Sequence, residues 1–152
     1  MRSFLVSIYL IFGLFGFASA GEAVQVGAIK ISKPWARASL GVNRPAAAYF
    51  TLRNTGNTAD QLVSVTSPLA EKVSIHITKQ DNGIMRMSAA EQLEIRAGKT
   101  VELKPGGLHV MMMKLNAPLK KGGTTELHLS FKHAGKVIVH LPIFGPGASA
   151  PD

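Results

Sequence analysis

The chain has 152 residues, of which 46% are hydrophobic, and its 17 lysines and arginines against nine acidic residues give a formal net charge of +8. That length fits one domain with its own core. The cations are scattered rather than clustered, which argues against a nucleic-acid surface, and the lack of any cysteine removes disulfides, zinc–thiolate sites and the His₂Cys copper centre at once.

In chain order, Met1-Arg2-Ser3 is a short basic opening, Phe4 to Phe17 is uncharged and mostly apolar, and Ala18-Ser19-Ala20 is small. This order is that of a secretory signal cleaved after Ala20. The apolar run is short for a membrane span, which needs about 20 residues, so the mature chain is expected to have none. No cysteine follows the run, so lipid attachment of the bacterial lipoprotein kind is not expected. The 152 residues less these 20 leave 132, and loss of Arg2 takes the charge from +8 to +7. Such a basic surface suits docking to an acidic partner or an anionic membrane. In an oxidising compartment methionine offers sulfur that disulfide formation cannot consume.

After a lead-in over 21–27, Ile29-Lys30-Ile31 is a short strand, with Pro34-Trp35-Ala36-Arg37 behind it and a loop over 38–46. Ala46 to Asn54 alternates, with Ala48, Phe50 and Leu52 on one side and Tyr49 and Thr51 on the other. Leu62 to Thr66 and Val73 to Thr78 are further strands. In the second, Val73, Ile75 and Ile77 face a core and turn Ser74, His76 and Thr78 outward. Asp81-Asn82-Gly83 is a tight-turn signal leading into Ile84-Met85-Arg86-Met87. Leu93-Glu94-Ile95 and Val101-Glu102-Leu103 flank Ala97-Gly98-Lys99. A last hairpin joins Leu127–Phe131 to Val137–Leu141 through His133-Ala134-Gly135, and 145–152 is a Pro/Gly/Ala tail expected to be flexible. Short alternating strands without a long amphipathic helix predict an antiparallel β-sandwich in one domain.

The chemistry concentrates in Lys104-Pro105-Gly106-Gly107-Leu108-His109-Val110-Met111-Met112-Met113. Proline and glycines make a turn, and the strand after it puts Leu108, Val110 and Met112 on one face and His109, Met111 and Met113 on the other. Residues 109 and 111 lie about 7 Å apart on that face, close enough to share one ion. Imidazole and thioethers with no acidic neighbour describe a soft-metal site, and thioethers favour cuprous copper. His76, Met85 and Met87 supply more donors upstream. The same residue types also fill surfaces and cores: a lone outward histidine is usually solvated, and methionine is usually packing.

His76, ten residues, Met87, twenty-one residues, then His109-Val110-Met111 resembles the His-x10-Met-x21-His-x-Met motif of periplasmic copper chaperones of the PCuAC type. The flanking text fits as well: Pro34-Trp35-Ala36-Arg37, Ala48-Tyr49-Phe50-Thr51-Leu52-Arg53-Asn54, Gly83-Ile84-Met85-Arg86-Met87 and Leu103-Lys104-Pro105-Gly106-Gly107-Leu108. It spans roughly Ile29 to Pro142. Ile77 stands where many members carry an optional methionine, and the His- and Met-rich extension of some members has no counterpart in 145–152.

The resemblance implies an all-β, cupredoxin-like antiparallel Greek-key β-sandwich over 21–144, behind a signal at 1–20 and ahead of the tail at 145–152. It implies a periplasmic protein binding Cu(I) through His76, Met87, His109 and Met111; strand parity adds Met85 and Met113 as candidate reserve donors, and a monomer is expected. Its partners would be a copper-donor protein and the copper subunit of cytochrome c oxidase, whose binuclear site it would help fill. A copper resistance or storage role, or a metal-free adhesion or assembly module, are the alternatives. No enzyme is expected: Gly-x-Ser-x-Gly, His-Glu-x-x-His and a cysteine nucleophile are all lacking. His128 and His140 fall on the outward face of the last hairpin. They would oppose one another if Gly135 closes a three-residue loop, as an incidental second site or, more simply, as surface histidines.

Overall fold

Strand-forming segments of Val, Ile, Leu and Phe at every second position bury one face and expose the other. The computed structural model describes residues 20–151. The export signal assigned to 1–20 therefore lies, apart from its last residue, outside the described residues. These fold into eleven strands without a helix: β1 (Val24–Val26), β2 (Ile29–Arg37), β3 (Ala46–Asn54), β4 (Asp60–Thr66), β5 (Ala70–Asp81), β6 (Ile84–Ala90), β7 (Leu93–Ile95), β8 (Thr100–Glu102), β9 (Leu108–Leu115), β10 (Thr124–Phe131) and β11 (Gly135–Phe144).

Hydrogen bonding runs in the order β6-β5-β9-β3-β2-β11-β10-β4-β7, with β1 on β2 and β8 on β3. One layer is β6 to β2, the other β11 to β7. Ile29, Ile31, Phe50, Leu52, Val110 and Met112 of the first meet Leu62, Leu127, Leu129 and Leu141 of the second in one buried cluster. Every strand pair is antiparallel except β11 with β2, where Ile143 and Phe144 run parallel to Ala36 and Arg37. That seam joins the two layers of the sandwich and makes the sheet mixed rather than wholly antiparallel.

Two local devices shape the site. The first is a bulge in β2: the register with β3 shifts between Ser32 and Trp35, where Lys33 takes a left-handed φ of 51°. Before it Ile29 and Ile31 point into the core; after it Ala36 does, and Trp35 and Arg37 turn to the outer face. A bulge re-aims side chains in this way. The strand expected over Ile29–Ile31 thus continues to Arg37. The second is the Lys104–Leu108 loop, closed by the Gly107 N–H on Lys104 O and the Lys104 N–H on Leu108 O, with Gly106 at φ 81°.

The last hairpin differs from expectation. Gly135, at φ 102°, belongs to β11 and pairs with Phe131, so the loop is Lys132–Ala134. His128 consequently opposes Ile138, and His140 opposes Glu126. The reason lies in another strand: the buried Asp60 carboxylate accepts the N–H groups of His133 (2.9 Å) and Ala134 (2.8 Å) and holds the loop there. The two histidines instead flank Glu126, His128 Nε2 at 2.9 Å and His140 Nδ1 at 3.9 Å.

Burial by itself would raise the Asp60 carboxyl; the backbone N–H groups of His133, Gln61 and Ala134 outweigh it and hold it below the usual carboxylate value. Because the folded value is depressed, this stabilisation is complete above the unfolded carboxyl range and is lost as pH falls through the folded value. Asp60→Ala is expected to cost about 2–3 kcal/mol at neutral pH, since it leaves two loop donors without their acceptor. The deficit should shrink toward pH 3. Urea unfolding of both proteins at the two pH values checks it, and a deficit independent of pH would contradict the role given to the carboxylate.

The near end of the 145–152 segment touches the domain. Ala148 closes a turn on Gly145 and accepts a 2.6 Å hydrogen bond from Arg37 Nε. It also packs against Trp35, Tyr49 and Phe144.

Candidate metal-binding site

The outer face of the first layer can be followed residue by residue, because directly paired residues share a face. In the β5–β9 ladder His76 pairs with His109 and Ser74 with Met111; in the β3–β9 ladder Ala47 pairs with Met111. In β5–β6, Thr78 pairs with Met87 and Gln80 with Met85. His76, Met87, His109 and Met111 therefore all project from one face, opposite the fully buried Val110 and Met112. The four residues singled out in the sequence come together across three adjacent strands.

The two imidazoles are 5.9 Å apart between centroids, with planes inclined at 31°. His109 is 6% exposed and sits on the floor; Met87 is 52% exposed and stands at the rim. A cavity of about 210 Å³ lies here, lined among others by Arg37, Tyr49, Thr78, Met87, His109 and Met111. A larger one, of about 530 Å³, opens near Gly21 and Pro142 and holds none of the four donors.

The backbone orients His109. Gly107 O accepts both the Thr78 N–H (3.1 Å) and the His109 Nδ1–H (3.0 Å). This leaves the lone pair of Nε2 free, the arrangement a metal-ligating imidazole adopts. His76 Nε2 lies 2.8 Å from Ser74 Oγ, and its Nδ1 is buried without a hydrogen-bond partner. A buried ring nitrogen that no protein group satisfies is costly, and a metal ion would satisfy it. Burial, with the nearby His109 and Lys72 adding to it, holds His76 below the usual histidine value, so the ring is neutral at neutral pH, as a ligand must be.

Among the described residues no three His, Cys, Asp or Glu side chains converge as a metal site. The arrangement of two imidazoles and two thioethers carries no anionic donor, which suits a soft monovalent ion better than Cu(II) or Zn(II). Met85 has the same parity as Met87 but opposes Gln80, four residues along β5 from His76, and is 59% exposed. That is about 13 Å along the strand, against about 7 Å for Met87. Met113 pairs with Lys72, on the far side of Met111 from His109. His128, His133 and His140 lie on or beside the last hairpin, away from this face.

Arg37, Ser74 and Gly107 were not legible as site residues. Arg37 is concealed by the bulge: plain alternation from Ile31 would turn residue 37 inward, whereas the register shift brings it to the outer face beside Tyr49. Pro34 is the local signal for such a break.

The chain matches the family described as "Putative lipoprotein LpqE-like" over residues 29–143, and it belongs to that family. It is 33% identical over 120 residues to "Putative lipoprotein Lxx21020" of Leifsonia xyli subsp. xyli, covering 78% of this chain and 71% of that one. Among solved structures it resembles the PCuAC domain of PmoF2. The apo form has 27% identity, TM-score 0.73, and coverage of 85% of this chain and 99% of the other. The copper-bound form has 27% identity, TM-score 0.71, and coverage of 82% and 99%. The Cu(I) form of DR1885 from Deinococcus radiodurans has 29% identity, TM-score 0.62, and coverage of 81% and 80%. The fold is thus the cupredoxin-like β-sandwich of PCuAC domains. The word lipoprotein belongs to the relatives' names; the present sequence contains no cysteine. No helix among the described residues is long and apolar enough to cross a membrane.

Proposed function

We propose that this protein is an exported Cu(I) carrier of the periplasm that receives copper from a donor protein and delivers it to the binuclear copper site of cytochrome c oxidase. The carrying observation is the facing pair His76–His109, flanked on the same sheet face by Met111 and Met87 with no carboxylate among them. The copper-bound PmoF2 domain and Cu(I)-DR1885, which share the fold, support copper as the ligand. The basic-apolar-small order of residues 1–20 supports export.

The site performs no bond chemistry. His109 and His76 hold the ion at depth, while the exposed Met87 gives an incoming ligand access on one side. Thioethers are weaker donors than thiolates, so an acceptor with stronger ligands can draw the ion away. Copper is cargo here, and release matters as much as capture.

Anaerobic competition against a Cu(I) chelator should show one equivalent bound, and incubation of the loaded protein with the apo copper subunit of the oxidase should transfer it. No stoichiometric binding would overturn the carrier reading; binding without transfer would overturn the acceptor. In the same titration Met87→Leu is expected to weaken binding by about tenfold or more, a loss of about 1.4 kcal/mol. Met85→Leu should change it less than twofold. The reverse order would show that the donor at that corner is Met85.

A further inference from the structure

The cavity beside the donors contains a full positive charge. Arg37, half-buried at the end of β2, lines it together with Met87, His109 and Met111. Its guanidinium lies 5.5 Å from the centroid of the Tyr49 ring, and its Nε donates to Ala148 O at 2.6 Å. The group is therefore fixed on two sides, by the buried phenol of β3 and by the turn at Gly145–Ala148. Among the described residues no carboxylate forms an ion pair with it. Lys72 shares this face but is exposed and is screened by solvent.

We infer that Arg37 is an electrostatic selector that disfavours Cu(II) relative to Cu(I) at the His76–Met87–His109–Met111 site, without itself being a ligand. This rests on the copper-binding reading above and adds to it a second source of selectivity, independent of the thioethers. A fixed cation raises the energy of an ion in the site in proportion to that ion's charge. Whatever factor Arg37 takes from Cu(I) affinity, it takes the square of that factor from Cu(II). A unit charge roughly 8 Å away across an effective dielectric of about 40 gives about fivefold for the monovalent ion and about twenty-five-fold for the divalent one. The selection therefore grows by the same fivefold. Rigid anchoring matters, because a mobile arginine would swing into water and lose most of this effect.

The test is a pair of chelator competition titrations, anaerobic for Cu(I) and aerobic for Cu(II), on the wild-type chain and on Arg37→Gln, Arg37→Met and Arg37→Lys. Both neutral variants should gain about fivefold in Cu(I) affinity and about twenty-five-fold in Cu(II) affinity, while Arg37→Lys, which keeps the charge and loses its anchors, should gain less for both and still more for Cu(II) than for Cu(I). A purely structural role would move the two oxidation states together. Equal changes for both ions, or no change, overturn the selector. Failure of the wild-type protein to bind Cu(I) at all would instead overturn the carrier reading. Should the neutral variants lose a cooperative melt, Arg37→Lys decides alone, and a gain in Cu(II) affinity no larger than its gain in Cu(I) affinity overturns the proposal.

Discussion

His109→Ala is expected to lower Cu(I) affinity by at least about 100-fold, since loss of an outer-shell partner alone already costs 10–100-fold at metal sites. No neighbour replaces it. His109 is the most buried of the four donors at 6% exposure, and its ring is set by Gly107 O on one side and faces His76 on the other. Water admitted to the vacated space is a poor ligand for a soft cuprous ion. Folding should survive: the outer face is separate from the main core, and the change removes one hydrogen bond of about 1 kcal/mol net. His128→Ala and His140→Ala serve as controls, because they interact with Glu126 on the other layer and should leave Cu(I) affinity unchanged. A loss below tenfold at His109, or an equal loss at His128, would remove the histidine pair from the site.

The second large effect concerns oxidation state. In the proposed site Met87 and Met111 supply the thioethers, and neither a carboxylate in the cavity lining nor a thiolate offsets the additional charge of Cu(II). Imidazole binds either state, so the methionines carry most of the chemical preference for Cu(I). Replacing both by histidine should move the Cu(I)/Cu(II) affinity ratio toward Cu(II) by about 100-fold, at about 1.4 kcal/mol for each tenfold. Oxidising the wild-type methionines to sulfoxides should likewise impair Cu(I) retention. Electron paramagnetic resonance of the double variant would show Cu(II) in a nitrogen-rich environment, where the wild-type protein holds the silent cuprous ion. If the wild-type site binds Cu(II) as tightly as Cu(I), the carrier mechanism fails even though the protein binds copper.

Selection would then have two components that differ in kind. The thioethers act through donor softness and the guanidinium of Arg37 through charge. They lie on different strands, β6 and β9 against β2, and line one cavity.

Strand alternation is a local property, and it was sufficient for much of this molecule. Val110 and Met112 alternate with His109 and Met111, and Ile75 with His76, so the inward and outward faces of β5 and β9 follow from the residues themselves. The resemblance to the PCuAC motif named His76, Met87, His109 and Met111, four residues that the fold brings to one face. The turn at Asp81-Asn82-Gly83 was legible because Asn82 and Gly83 accept positive φ, 48° and 79° here.

Pairing across the sheet is another matter, because it depends on residues far apart in the chain. His76 faces His109 only through the register of β5 on β9, and Met87 is nearer than Met85 only through the register of β6 on β5. A bulge at Lys33 inverts the parity of β2 and brings Arg37 to the donors, which a period-two reading cannot anticipate. Asp60, on β4, sets the position of a loop seventy-odd residues away and so the register that separates His128 from His140. The sequence by itself determined which side chains of β5 and β9 face outward and which donors the chain possesses, since both follow from neighbours one or two residues away. Only the tertiary structure decided which of those donors meet and what charge stands beside them, because ladder register and bulges are set by contacts between distant strands.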